Sequence, residues 1–365
     1  MPEPRKVAIV HDWLIGGGAE RVVYELHQMF PEAPIYTSYC TDEWRQKLDD
    51  KVITGWLQHW PFSHLRKYLP PLRIWYFTHL KLRGYDLVIS SSGAEAKGIR
   101  VPEGTVHVNY CHAPTHYYWS RYDQYLAHPG FGPFDWLARL GLKLLVEPLR
   151  KWDYRAAQRP NYMLCNSTYT QQQIKLFYGR EATVVHPPVD TARFNITAPG
   201  SRRGFVTAGR QTPYKRIDLA VEACTKLELP LTVIGAGPDH AHLLKLAGPT
   251  ITFVVDASDE AVAHYFATTE AFIFPGLDDF GITPVEAMAA GTPVIAYNAG
   301  GAQDYVIPGK TGVFFDEQTV DSLCSVLKQF DLQKYHSGNI KVEAAHFDTE
   351  NFQKALRKTL QDVLH

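Results

Sequence analysis

The chain has 365 residues, with 37 Lys+Arg against 38 Asp+Glu and a formal net charge of -1. At roughly 150 residues per domain this length implies two domains. Its 45% hydrophobic content can fill two cores, which excludes a disordered chain, and the balanced charge excludes the basic excess of a nucleic-acid binder.

The balance is uneven along the chain. Residues 1–190 carry 22 Lys+Arg and 18 Asp+Glu, the remainder 15 and 20, and all eight Trp fall between Trp13 and Trp152. A mildly basic, Trp-rich half followed by an acidic, Trp-free half suggests two domains that meet different partners. The five cysteines are widely scattered with no CxxC pair, fitting buried thiols of a reducing cytosol better than disulfides or a zinc site. The apolar stretch Val7 to Val10 is too short for a signal peptide, and no run approaches the roughly 18 apolar residues of a membrane span. A cytoplasmic location is therefore expected.

Short apolar runs alternate with helical patterns, the signature of βαβ units and parallel sheets. In the first half they predict strands at Val7–His11, Ile35–Ser38, Leu87–Ser90, Val106–Cys111, Tyr162–Asn166 and Thr183–His186. Pro187-Pro188 stops the last of these, and the polar stretch Thr191 to Arg203, with Pro199-Gly200, reads as a linker. In the second half strands are predicted at Phe205–Ala208, Leu231–Ile234, Ile251–Val255, Ala271–Phe274 and Val294–Tyr297. Each half is thus expected to be a doubly wound α/β sheet, with ligands beyond the carboxyl ends of the strands and a cleft between the halves.

Several strand ends carry residues suited to chemistry. The first runs into Gly16-Gly17-Gly18 before a helical apolar face, so that loop is either a backbone phosphate site or a tight turn without a ligand. Between Lys51 and Tyr85 lie six basic residues and no acidic ones, interleaved with Trp56, Trp60, Phe62, Tyr68, Trp75, Tyr76 and Phe77. This mixture suits an anionic membrane surface or a lipid-linked acceptor, while core packing of the aromatics and single-stranded nucleic acid remain open. Ser90-Ser91-Ser92-Gly93 closes a strand, as an acceptor lining or a plain turn. His112 stands just beyond Val106–Cys111, where it either contacts a reacting group or serves as a satisfied structural histidine.

In the second half, Arg210 and Lys215 share one strand-end loop, a pair of cations suited to a diphosphate or merely a solvated loop. Gly235-Ala236-Gly237 follows the next strand. The most informative run extends from Phe274 to Pro293: a strand end, an acidic loop with Asp278, then Gly281-Ile282-Thr283 and Pro284 in the first turn of a helix. The free N–H groups at Gly281, Ile282 and Thr283 suit a phosphate, with Asp278 and Glu286 placed to accept from sugar and ribose hydroxyls. Gly300-Gly301 follows the next strand.

Asp278 to Pro293, with Gly209-Arg210 to Lys215 upstream and Gly300-Gly301 downstream, resembles the retaining glycosyltransferases of family 4, which have the GT-B fold of two Rossmann-like domains facing across a cleft. Gly16 to Gly18 and Tyr110 to Pro114 add a likeness to bacterial O-antigen and exopolysaccharide mannosyltransferases. The resemblance implies a first domain over 1–190 that binds the acceptor, a nucleotide-sugar domain over 191–348, and a last helix crossing back over 349–365. It also implies transfer of mannose from GDP-mannose to a lipid-linked or oligosaccharide acceptor, without a metal or cofactor. Arg210 and Lys215 would neutralise the donor diphosphate, Gly281 to Thr283 would hold phosphate, and Glu286 the ribose. Asp278 and His112 would meet the transferred sugar, and Gly16 to Gly18 the diphosphate. The family usually has Glu where this chain has Asp278. A UDP-sugar transferase, a sugar-nucleotide epimerase and a non-catalytic sugar-nucleotide-binding subunit are the alternatives.

Overall fold

The computed structural model describes residues 6–65, 69–127, 129, 132–196 and 201–364. Arg66, Lys67 and Tyr68 of the basic aromatic segment, and Pro199-Gly200 of the expected linker, lie outside the described residues. The chain forms two compact units. One comprises the chain up to His186 together with the segment from Gln353 onward; the other runs from Pro187 to Phe352.

The first unit holds a sheet of β1 (Val7–His11), β2 (Ile35–Thr37), β3 (Val52–Thr54), β4 (Leu87–Ser92), β5 (Val106–Cys111), β6 (Tyr162–Cys165) and β7 (Thr183–Val184), in the order β3-β2-β1-β4-β5-β6-β7. All its pairings are parallel. The second holds β8 (Phe205–Ala208), β9 (Leu231–Ile234), β10 (Ile251–Val254), β11 (Ala271–Phe274), β12 (Val294–Tyr297) and β13 (Gly312–Phe315), ordered β10-β9-β8-β11-β12-β13 and again parallel. In both, the order reverses beside the first strand, between β1 and β4 and between β8 and β11. Loops diverge at such a switch point and leave room for a ligand at the carboxyl ends of the strands.

Parallel strands are buried on both faces and so read as continuous apolar runs. All five residues of β1 and all four of β11 are buried. In the second unit Val206, Phe272, Phe274 and Val294 face one core, while Phe205, Ala271, Ile273 and Ile295 face another on the opposite side. In the first unit Ala8, Val10 and Val88 pack against Tyr76, Phe77 and Ile99.

All eleven predicted strands are present, some shortened at the carboxyl end and β4 extended to Ser92. The pattern missed β3 and β13, both at sheet edges. β3 has three residues, too few for a period, and β13 opens on Gly312, a strand breaker by propensity. A Cβ there would collide with the Val294 carbonyl of β12, so glycine is what admits the edge strand.

The unit boundaries fall at His186 and Gln353 rather than at 190 and 348. Val189 bridges to Asp348, its N–H donating to the Phe347 carbonyl (2.9 Å), so both of these segments belong to the second unit. Within the first unit Gln353 of the Thr349–Leu364 helix donates to Glu25 of the Gly18–Met29 helix (2.7 Å).

Candidate functional site

In the second unit, close backbone approach assembles the β8/β11 switch point. β8 ends into Gly209, at φ 143°, and a short helical turn over Pro213–Lys215. A Cβ on Gly276, just beyond β11, would lie 2.8 Å from the Lys215 carbonyl. That contact draws the 275–280 loop against the cationic loop, and Lys215 Nζ forms an ion pair with Asp278 Oδ2. Lys215 also lies 5.7 Å from the Tyr214 ring centroid and 5.9 Å from that of Phe274. Arg210, two residues beyond β8, is exposed.

The sequence pattern assigns Lys215 and Asp278 to different parts of a ligand; the fold makes them direct partners. The pattern is silent on this because 63 residues separate them. Gly235 and Gly237 likewise leave no room for a side chain, against the carbonyls of Gly209 and Gln211 respectively. Gln211 is fully buried and locks the two loops, donating to the Gly235 carbonyl (2.6 Å) and bonding His240 Nδ1 (2.7 Å). Sequence reasoning had no signal for its role.

The Ile282–Ala289 helix starts at Gly281, whose φ of 84° favours glycine. A Cβ there would meet the Phe274 ring at 2.7 Å and the Tyr305 hydroxyl at 2.9 Å. Burial, then the charge of nearby Asp278, holds the Tyr305 phenol far above its usual range, and it donates to the Phe280 carbonyl (3.1 Å). Ile282 and Thr283 are half-buried at the helix start, where the first N–H groups have no partner within the helix. Pro284 occupies the first turn and Glu286 is buried one turn on. Gly301 N–H donates to the Asp278 carbonyl (2.9 Å), placing the glycine pair after β12 directly on the acidic loop. The structure therefore brings Lys215, Asp278, the Gly281–Thr283 helix start and the Gly300-Gly301 turn to one switch point.

In the first unit, His112 stands beyond β5, half-buried, with Nε2 bonded to Ser91 Oγ at 2.7 Å. Its carbonyl accepts from Asn166 (2.9 Å) and its ring meets His11 edge-on at 6.2 Å. His11 Nδ1 bonds the Ser91 carbonyl (2.7 Å). Ser91 is thus buried and engaged, and is not a plain turn residue. Gly16 N–H donates to Glu20 Oε1 at 3.1 Å, as does Ile15 N–H at 3.3 Å. A carboxylate from the chain itself therefore sits at the glycine turn, where the sequence left a backbone phosphate site or a tight turn open; Gly17 and Gly18 are exposed.

Beneath these side chains lies a charge network that sequence reasoning missed. Asp12 accepts from the N–H groups of Gly93 (2.8 Å), Ala94 (2.9 Å) and Ala96 (2.7 Å). Burial first, then Glu95, raises its pKa. Arg73 grips Glu95 with two 2.8 Å bonds, and Tyr117 donates to the same carboxylate at 2.7 Å. Burial alone would raise the Glu95 pKa, but Arg73 holds it below the usual carboxylate value. Lys97 pairs with Asp153 at 2.6 Å, both fully buried. The available signal was Glu95-Ala96-Lys97, charges set directly behind a buried strand.

The basic aromatic segment does not form one continuous surface. Arg73, Tyr76 and Phe77 are buried in the core, whereas Trp60 and Trp75 are exposed. Among the described residues the segment folds as β3 and several short helical elements, and its basic and aromatic side chains divide between core and surface.

Two family models match the chain: "Glycosyltransferase Family 4" over residues 16–193 and "Glycosyl transferases group 1" over residues 188–337. A GDP-mannose-dependent alpha-(1-6)-phosphatidylinositol monomannoside mannosyltransferase of Mycolicibacterium smegmatis is 28% identical over 221 residues, 51% of this chain and 57% of that protein. The chain spans about half the length of the mycobacterial relatives it matches, 50% in a second case. An alpha-1,3/1,6-mannosyltransferase, alg2, of Schizosaccharomyces pombe is 24% identical across 85% of this chain and 70% of its own length. Among solved structures, Anabaena Alr3699/HepE in complex with UDP superposes with a TM-score of 0.70 at 16% identity, covering 98% of this chain and 100% of that one. With both halves matched in turn, the chain belongs to the family 4 glycosyltransferases, of the GT-B fold.

Proposed function

We propose that this chain is a retaining glycosyltransferase that moves mannose from GDP-mannose onto a lipid-linked or oligosaccharide acceptor in bacterial surface polysaccharide synthesis, at the cytoplasmic face of the membrane. The observation that carries the reading is the convergence of Lys215, Asp278 and the Gly281–Thr283 helix start at one switch point. The names of the mannosyltransferase relatives support the sugar and base.

In this reading the donor diphosphate competes with Asp278 for Lys215, while Arg210 supplies a second cation. Together they stabilise the charge that develops as the bond from the sugar C1 to the phosphate oxygen breaks. The helix start donates N–H groups to phosphate. Asp278, released from Lys215, accepts from a sugar hydroxyl, and Glu286 from the ribose. His112, oriented by Ser91, contacts the sugar. The acceptor oxygen bonds C1 from the face the leaving group departs, and its proton passes to the departing phosphate. These cations take the place of a metal ion, so activity should survive chelation by EDTA.

Purified protein with GDP-mannose and a membrane-extract acceptor should release GDP and form an α-mannoside. Absence of GDP or UDP release from every sugar nucleotide tried would sink the proposal. A UDP-sugar donor is the second reading, favoured by the UDP in the Anabaena neighbour, and donor competition separates the two. Turnover of Asp278→Glu beside the native chain tests for a non-catalytic binding subunit, which stays inactive in both.

A further inference from the structure

The Asp135–Ala157 helix of the first unit is built in two different halves. Its buried residues are Val146, Leu149, Asp153, Ala156 and Ala157, all on one face and all in the C-terminal half. Asp153 anchors that face through Lys97 (2.6 Å), Trp119 (2.8 Å) and Tyr178 (2.6 Å). The first eleven residues contribute nothing to the core, yet they carry Trp136, Leu137, Leu140, Leu144 and Leu145, all exposed, with Trp136 at 63% and Leu144 at 67%. Monomeric proteins leave large apolar side chains scattered singly; a contiguous set marks a contact surface.

At 100° per residue, Leu137, Leu140 and Leu144 form a stripe opposite the buried face, and Lys151 and Arg155 continue it. Around those two cations lies a hollow of about 430 Å³ lined by Trp119, Glu147, Arg150, Lys151, Tyr154 and Arg155. Arg150 is braced there, donating to the Tyr118 carbonyl (2.7 Å) and to Glu147 (2.8 Å). One helix face thus runs from apolar to cationic and aromatic, three cations against one carboxylate in the hollow. No helix among the described residues is long and apolar enough to cross a membrane.

We infer that this face docks on an anionic bilayer, with Leu137, Leu140 and Leu144 in the headgroup–acyl boundary, Trp136 at the edge of the stripe and the cationic hollow against lipid phosphates. The pattern is that of a helix lying in the interface plane. The three cations against one carboxylate in the hollow complement an anionic lipid surface, a complement that a second copy of the same basic face does not supply. The Trp60 and Trp75 surface of the Lys51–Tyr85 segment lacks the accompanying Arg73, which the core consumes. This inference deepens the acceptor reading by naming the surface that the acceptor side meets, and rests on it only for the acceptor being membrane-borne. Vesicle binding is measured without sugar nucleotide, so each can fail alone.

The experiment is co-sedimentation of the full chain with phosphatidylcholine vesicles, with and without phosphatidylglycerol. The native chain should bind only the anionic vesicles, less so as salt rises. The pair Leu140→Glu and Leu144→Glu should weaken binding at least about tenfold, because two apolar side chains no longer enter the acyl boundary. Its melting curve should be unchanged, since neither side chain is buried. The pair Lys151→Glu and Arg155→Glu should remove the preference for phosphatidylglycerol. Trp136→Phe should reduce the blue shift of tryptophan emission on vesicle addition. Undiminished binding by the leucine pair, binding that instead follows Trp60→Ser and Trp75→Ser, or a solution dimer dispersed by Leu140→Glu in a chain that ignores vesicles would each overturn the inference.

Discussion

At the β1/β4 switch point the charges are underneath: Asp12, Glu95 and Lys97 are fully enclosed, each carboxylate or ammonium met by partners 2.6 to 2.9 Å away. At the β8/β11 switch point the charges are on top. Lys215 is half-buried over a buried Asp278, a pair less enclosed than Lys97 and Asp153, and the loops below them are held by glycines at van der Waals limits. The same strand order therefore supports two kinds of site. In the first unit, charge acts as a rigid foundation that places His112 and Ser91. In the second, tight backbone packing provides the foundation and leaves the charges able to exchange partners with a ligand.

If that contrast is right, removing a charge should cost stability in the first unit and activity in the second. The largest effect is expected from Lys97→Met, which strands Asp153 in the core; breaking a buried pair costs about 3–5 kcal/mol. Urea unfolding checks this, and Lys97→Met with Asp153→Asn, which removes the stranded charge but keeps an acceptor for Trp119 and Tyr178, should recover part of the loss. A single variant as stable as the native chain would show that the network is not a foundation.

Next comes Lys215→Ala, expected to lower kcat by about 10²–10³, the scale of one lost electrostatic stabiliser, while the melting temperature barely moves. Steady-state kinetics beside calorimetry would reveal the opposite pattern if it exists. Third, Gly301→Ala would drive a methyl group into the backbone of Phe280. A cost of about 1–3 kcal/mol is expected from such overpacking, together with weaker donor binding measured by titration calorimetry, because the Asp278 loop must shift.

The smallest effect at neutral pH, and the most gradual, concerns acid. Burial, then the charges of Arg180 and Arg159, lowers the His107 pKa to about 3 from 6.5. The unfolded chain takes up this proton first. The stability His107 allows is therefore present above pH 6.5 and is lost as pH falls toward 3, by up to about 1.4 kcal/mol per pH unit. His107→Gln should flatten the slope of unfolding free energy between these limits; an unchanged slope would assign the acid sensitivity elsewhere.

Composition, the β1–β2 and β8–β12 periodicities and the run from Phe274 to Pro293 were enough to read two doubly wound sheets and the loop and helix start that stand at the β8/β11 switch point, because those signals are local. A strand end, a positive-φ glycine and a helix start occur within a few residues of one another, and each has a backbone reason to be there. Edge strands β3 and β13 escaped, being too short or too glycine-rich to show a period.

What only the tertiary structure decided is pairing across distance. Nothing in the order of residues says that Lys215 meets Asp278, that Glu20 sits at the Gly16 turn, or that Arg73 turns inward to Glu95 and breaks up a basic aromatic surface. Nor does it say that the Asp135–Ala157 helix leaves its leucines outside. Sequence determines which side chains can carry charge or apolar area, but whether each is spent on the core or left for a partner depends on which elements the fold brings against it. Desolvation and Coulomb attraction then act over a few ångströms of space, whatever the separation along the chain.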